Sequence, residues 1–321
     1  MKQYFAEKEI LITGIGTLGS SLVKYILTHK YKPKGIRLFS RNENKQWQLQ
    51  NELKQLGIDK NVAFLIGDIR DRKRLEIAMN KVDIVIHTSA LKHVPICEYN
   101  PIEAIETNIN GTKNVILAAL EKQVEKVMLI STDKSVYSTN LYGMTKAVAE
   151  KLFIHGNVYS GGHNPKFSVC RYGNVLGSSG SVIQLFQKQK EKNIVTITND
   201  EMTRFFFPIE KVVKFILDRI EEINGEEIFI PKMPSMKIVD IAKIIAPDCE
   251  IEDIGIRKGE KLHECLITIE EGRQTVNKEN YYIIYPNGPV LRDLEGFTYV
   301  SNLNPWQLKG DDLKEYIKDF I

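Results

Sequence analysis

The chain has 321 residues, 43% hydrophobic and 26% charged, a balance that predicts a folded globular protein and excludes disordered, collagenous and disulfide-scaffold classes. Lys plus Arg number 44 against 41 for Asp plus Glu, and no basic block is long enough to track a phosphate backbone, so no nucleic acid partner is expected. At roughly 150 residues per domain, the length predicts two domains or one with a substantial annex.

Short apolar segments alternate with amphipathic ones along the first half. Residues 9–13, 36–40, 62–68, 82–90, 126–132 and 167–172 are predicted strands, with five helical patterns between them. The strands are continuous apolar runs, as a sheet covered on both faces requires, so the fold class is a doubly wound parallel α/β sheet of the Rossmann type. The first helix, 17–29, carries Leu18, Leu22, Val23, Ile26 and Leu27 on one stripe, and Pro33 and Gly35 end it. Beyond Arg171 the alternation weakens. Residues 1–173 plus 205–233 are expected to form the nucleotide-binding domain, with a helix over 209–220 and a strand over 228–230 returning to the sheet. Residues 174–204 plus 234–321 are expected to form a smaller α/β substrate-binding domain. The lysine runs at 188–192 and 309–318 are expected to be solvated helix faces. No apolar run approaches the roughly 20 residues of a bilayer span, and the first one leads directly into a glycine turn, which leaves no room for a secretory signal; no membrane association is expected. Cys97, Cys170, Cys249 and Cys265 form no C-x-x-C pair, which fits a reducing cytoplasm.

The stretch Thr13-Gly-Ile-Gly-Thr-Leu-Gly19 sets G-x-G-x-x-G directly after a strand and at the start of a helix. Gly14 permits the tight bend, Gly16 lets the backbone approach a pyrophosphate, Gly19 permits close helix packing, and the helix N-terminus faces the anion. The second strand ends at Ser40, Arg41 and Asn42, where an enzyme using NAD places a carboxylate; Ser40, Arg41 and Lys45 offer donors to a 2′-phosphate, which favours NADP. Asp68 is placed to reach an adenine amino group or to cap the following helix. Tyr142 and Lys146 stand at i, i+4 on one helix face, downstream of Ser131-Thr-Asp-Lys134. That pairing is a proton-transfer device, in which Lys146 and an oxidised nicotinamide are expected to lower the Tyr142 pKa. His87 and His93 are expected to be core or loop residues, and no metal-ligand spacing is present.

With these motifs the chain resembles the extended short-chain dehydrogenase/reductases, and within them the inverting UDP-N-acetylglucosamine 4,6-dehydratases. The likeness runs through Ala90-Leu-Lys-His-Val-Pro95, Thr107-Asn-Ile-Asn-Gly-Thr112, Ser131-Thr-Asp-Lys134, Arg171-Tyr-Gly-Asn-Val175, Met202-Thr-Arg-Phe205 and Gly259-Glu-Lys-Leu-His-Glu264. It implies a cofactor set of Thr13, Gly14, Gly16, Thr17, Leu18, Gly19, Ser40, Arg41, Asn42, Lys45, Asp68, Ile69, Ala90, Lys92, Tyr142 and Lys146. It implies Thr132, Asp133, Lys134, Tyr142 and Lys146 as catalytic residues. Lys92, Asn174, Val182, Thr198, Met202, Arg204, Arg257 and Glu260 would hold the UDP-sugar, with Arg204 and Arg257 clamping the diphosphate. The implied chemistry is oxidation at C4, elimination of water across C5 and C6 with Lys134 as base and Asp133 as acid, and return of hydride to C6. Lys134 is expected to be neutral through burial beside Lys146 and a cationic nicotinamide. A retaining or 5,6-ene-forming dehydratase, a UDP-hexose 4-epimerase and a non-catalytic NADP-binding regulator are the alternatives. The resemblance also implies a homo-oligomer, dimer or hexamer. The family pattern is T-G-x-x-G-x-x-G, one residue longer than the turn here, and Tyr137 stands where small residues and proline are usual; Tyr137 is expected to pack against its loop.

Overall fold

The computed structural model describes residues 2–178, 180–291 and 294–321. The first six strands are β1 (Glu9–Thr13), β2 (Gly35–Ser40), β3 (Val62–Ile66), β4 (Ile84–His87), β5 (Lys126–Thr132) and β6 (Lys166–Tyr172). In space they run β3-β2-β1-β4-β5-β6 and continue into Ile228–Pro231, all parallel. Two antiparallel strands, Tyr281–Ile284 and then Thr275–Asn277, complete a nine-stranded sheet.

Continuous burial explains the apolar runs. Every residue of β4 is buried, and so are all of β5 and β6 after their first lysine. Helices Thr17–Thr28 and Ile209–Ile220 pack together, as do Arg72–Ala78, Gly111–Lys122 and Leu141–Tyr159. Ile209–Ile220 buries Val212, Val213, Ile216, Leu217 and Ile220, the i, i+3, i+4 stripe of a helix lying on a sheet. Two predicted strands are shorter than expected. Gly67 and Asp68 leave the sheet after β3, and Thr88 to Ala90 leave it after β4, because their places are taken on the rim of a cavity.

A second, smaller core contains Phe186, Ile197, Met202, Phe206, Ile241 and Leu313. Its three-stranded sheet pairs Asn174–Leu176 and Ser235–Lys237 on either side of Thr203–Pro208. The expected domain borders therefore need correction. The strand Thr203–Pro208 is continuous across the 204/205 border, and residues 275–284 belong to the large sheet, while Leu266, Ile267 and Tyr299 pack in the large core. These segments are short, so their placement is decided by which strand edge they can pair with, not by their own pattern. Among the described residues no helix is long and apolar enough to cross a membrane.

The ring of Phe153 joins the two sides of the large core: it stacks on His87 at 6.2 Å and meets Phe167 edge-on at 5.5 Å. Phe153→Ala should lower the unfolding free energy by about 3–5 kcal/mol, read as a shift of the chemical-denaturation midpoint.

Candidate active site

β1 ends at Thr13, whose side chain is fully buried and bonded through Oγ1 to His87 Nδ1 at 2.7 Å. Thr13 therefore belongs to the core and not to the cofactor surface. His87 lies between Thr13 and Thr112, and burial, with the Lys146 charge behind it, pushes its pKa down to about 3. Each glycine of the turn has its own reason. Gly14 has φ +89°, and a Cβ there would lie 2.9 Å from the hydroxyls of Ser89 and Thr88. A Cβ on Gly19 would lie 2.0 Å from the Gly14 carbonyl oxygen, whereas a Cβ on Gly16 would meet nothing within 4 Å. Gly16 thus opens onto the cavity, at a helix N-terminus with no side-chain cap to occupy its amides.

The cavity is about 730 Å³ and lies at the carboxyl ends of β1, β2, β4 and β5, where the strand order reverses. It is lined by every residue of the expected cofactor set except Thr13. On the β2 rim, Asn42 accepts the Lys45 N–H at 2.9 Å, capping the helix Glu43–Gln55. Asp68 is gripped by Arg70 (Nη2 2.7 Å, Nε 2.9 Å) and faced by Arg41 at 3.4 Å, which against the opposing effect of burial holds its pKa below the usual carboxylate range. The cap of the next helix is Asp71, one turn further on, not Asp68. Burial lowers the Lys92 pKa, and the charges of Lys45 and Lys134 lower it further.

The face with the expected catalytic residues comes from β5 and the helix Leu141–Tyr159, which Asn140 caps by accepting the Gly143 N–H at 2.9 Å. Thr132, Lys134, Tyr142 and Lys146 all line the cavity. Lys146 donates to the Ile130 carbonyl at 2.7 Å, and burial pushes its pKa down to about 8 against the pull of Glu150. Burial pushes Tyr142 up to about 12, with the Lys134 charge and the Thr132 hydroxyl pulling it back. The protein's own groups leave Tyr142 protonated, and the downward pull among them comes from Lys134 and Thr132.

Asp133 is fully buried and stands behind the cavity wall. Its Oδ1 accepts from Thr132 Oγ1 at 2.9 Å and Lys134 Nζ at 3.0 Å, and its Oδ2 is buried without a partner among the described residues. Burial raises its pKa, as Glu264 does, against the cations of Lys134 and Lys261. Lys134 shows the largest departure from expectation. Burial alone would lower its pKa, but Asp133 and Glu264, whose carboxylates lie 3.0 and 3.4 Å from Nζ, raise it above the ordinary lysine value. Lys134 is an ammonium in an ion pair and not the neutral amine expected.

Asn174 and Val182 also line the cavity, and among the described residues Asn174 Oδ1 is buried with no partner, an acceptor left for a ligand. Thr198, Met202, Arg204, Arg257 and Glu260 do not line it. Thr198 donates to the Met202 sulfur at 3.3 Å, and both are buried. Arg204 spends its guanidinium on the carbonyls of Thr203 (2.8 Å), Leu262 (3.0 Å) and Lys261 (2.8 Å) and on Glu260 at 3.4 Å. It braces strand against loop. Arg257 is exposed. Tyr137 is 56% exposed and donates to Glu270 at 3.1 Å, so it neither packs nor enters the cavity. Sequence reasoning assigns no role to Lys261 and Glu264, which lie against Asp133 and Lys134; their signal is two acids and a lysine within Gly259-Glu-Lys-Leu-His-Glu264. Among the described residues no cluster of three His, Cys, Asp or Glu is placed to hold a metal ion.

The family model described as polysaccharide biosynthesis protein matches residues 10–286. The inverting UDP-N-acetylglucosamine 4,6-dehydratase of Campylobacter jejuni serotype O:2 is 43% identical over 98% of each chain. The UDP-glucose 4-epimerase of Rickettsia rickettsii is 39% identical over 92% of this chain and 87% of its own. The X-ray structure of Pen from Bacillus thuringiensis superposes with a TM-score of 0.90 at 37% identity, over 98% of each chain. The glycine turn, the Tyr142 and Lys146 helix and these likenesses agree: the chain belongs to the polysaccharide biosynthesis protein family, within the extended short-chain dehydrogenase/reductases.

Proposed function

We propose that the protein is an NADP-dependent UDP-N-acetylglucosamine 4,6-dehydratase that inverts C5. The observation that carries this reading is the Asp133–Lys134 pair, set beside Tyr142 and Lys146 on one side of the cavity that the glycine turn lines. A redox face alone serves oxidation at C4, as an epimerase also requires; a second acid and base serve only elimination.

The residues fit a dinucleotide. Gly16 leaves open space for a pyrophosphate, and Arg41 and Lys45 stand at the end of β2 for a 2′-phosphate. A bound oxidised nicotinamide would accept hydride from C4 and return it to C6. Tyr142, in the phenolate form that the cationic ring of a bound nicotinamide together with Lys134 and Lys146 would favour, takes the C4 hydroxyl proton, helped by the Thr132 hydroxyl. The C5 proton, made acidic by the new ketone, passes to Lys134. Asp133 gives a proton to the departing C6 hydroxyl; sealed behind the wall, it does so through the Thr132 hydroxyl that already bonds to it. Asn174 Oδ1 offers an acceptor on the cavity wall. The protein is proposed to work in the cytoplasm as a homo-oligomer, and the division into nucleotide-binding and sugar-binding units follows the two cores.

The Rickettsia relative's name favours 4-epimerisation as the second reading. Incubation with UDP-N-acetylglucosamine and NADP decides between them. Dehydration gives a product lighter by one water, with solvent deuterium at C5 when run in deuterium oxide and the L-arabino 4-keto configuration. A product of unchanged mass refutes it.

Gly16→Val should leave thermal stability within about 0.5 kcal/mol of wild type, because its Cβ meets no atom, yet weaken NADP binding more than tenfold by calorimetry. NADP should bind wild type more tightly than NAD; equal binding would remove Arg41 and Lys45 from the phosphate site. Lys134→Ala should still form reduced cofactor in a single turnover but slow elimination by roughly 10²–10⁴-fold, and Tyr142→Phe should block both steps.

A further inference from the structure

Glu264 is a buried carboxylate that the mechanism above does not use. Its side chain is 2% exposed and faces three cations: Lys261 Nζ at 2.6 Å, Lys134 Nζ at 3.4 Å and Arg204 Nε at 3.9 Å. Lys261 also donates to the carbonyls of Asp133 (3.2 Å) and Val136 (2.9 Å), so the 260–264 segment is bonded to the loop that bears the acid and base. Glu264 does not line the cavity and reaches the chemistry only through Lys134 and Asp133. An anion shut out of water at this distance acts on its neighbours' protons far more than a surface carboxylate would.

We propose that Glu264 is a positioning residue for elimination, holding Lys134 against Asp133 and setting the pH range in which that pair carries a single proton. The inference rests on the dehydratase reading. Elimination begins from neutral Lys134 and protonated Asp133. The C5–H bond breaks and its proton bonds to Lys134 Nζ; its electron pair forms the C5–C6 double bond as the C6–O bond breaks. The Asp133 proton, relayed by Thr132, joins the departing hydroxyl to give water, leaving ammonium and carboxylate. The starting form and the resting ion pair hold the same one proton, 3.0 Å apart, so the pair works between its first and second protonation and its activity against pH is a bell. The groups facing Lys134 are Asp133, Glu264, Arg204, Tyr142 and, across the cavity, Lys92; Lys261 faces Asp133 and Glu264. Of these only Glu264 adds negative charge to the pair from outside it, so its removal moves both limbs to lower pH.

The test is the pH dependence of kcat for UDP-N-acetylglucosamine dehydration in Glu264→Gln and Glu264→Asp. Glu264→Gln should shift both limbs about one unit acidward, and Glu264→Asp, which keeps the charge, should leave them in place whatever its kcat. Should Glu264→Gln fail to fold, Lys261→Met carries the opposite sign: it frees Glu264 from a cation and should move the limbs to higher pH. A second measurement needs no substrate. In competitive labelling with an amine-reactive anhydride at fixed pH, Lys134 of folded Glu264→Gln should react about tenfold faster than in wild type, as one pKa unit requires. If wild type does not dehydrate the substrate, the functional reading fails and the labelling alone judges Glu264. Unmoved limbs with only a lower kcat, or unchanged labelling, overturn the proposal.

Discussion

The charges of Asp133, Lys134, Arg204, Lys261 and Glu264 are held together within a few ångströms, and the arrangement of the site depends on their mutual satisfaction. Isolated burial of any one would cost several kcal/mol, and removing one partner from such a set typically costs about 3–5 kcal/mol. The set brings together the loop after β5, the strand Thr203–Pro208 and the 257–264 segment. It therefore sets the relation between the large sheet and the smaller core as well as the protonation of the catalytic pair.

A second buried network repeats this logic deeper in the fold. Arg171, on β6, pairs with Glu150 at 2.7 Å and Glu271 at 2.9 Å, and Glu150 in turn accepts from Ser131 and Ser135. Glu150 lies one turn after Lys146 on the same helix and opposes the burial that lowers the Lys146 pKa. Three covering elements, the helix Leu141–Tyr159, β6 and the turn Ile269–Gly272, are thereby locked to the strand end that carries Thr132. With backbone and charges fixed in this way, the hydroxyl, phenol and ammonium groups lining the cavity need little reorganisation when a ligand arrives.

What was legible in the sequence is what local pattern governs. β1 and β5 fall at their predicted limits, the glycine turn and the Tyr142, Lys146 face stand where spacing put them, and both lie on the cavity. Periodicity and a helix pitch suffice for these, since each involves residues only a few positions apart. Lys134 is held as an ammonium first by its neighbour Asp133, whose side chain turns onto it only in the folded loop, and then by Glu264, which lies 130 positions away in sequence and meets it only through folding. The surroundings of Arg204 are illegible for a related reason: its chemistry suits a phosphate, but the carbonyls of residues 261 and 262, 57 and 58 positions away, reach it through folding. Strands Thr275–Asn277 and Tyr281–Ile284 escaped prediction because their pattern is too short to say which sheet edge they join.

On the dehydratase reading proposed above, a lysine as the base makes different demands on its surroundings than a carboxylate would. A carboxylate beside Asp133 would repel it, so that one of the two would keep a proton at neutral pH without further help. A lysine beside Asp133 settles instead into an ion pair, in which neither partner is ready to react. Two features make that pair convertible. Asp133 is fully buried and its Oδ2 has no partner among the described residues, so its charged form is poorly solvated, and the Lys134 side chain keeps 25% exposure, so part of its ammonium hydration remains to be removed. A sugar covering Lys134 strips that hydration and disfavours the ammonium, which moves the shared proton across 3.0 Å toward Asp133. Substrate binding and creation of the reactive acid and base are then one event, and the pair stays inert while the cavity is open to water.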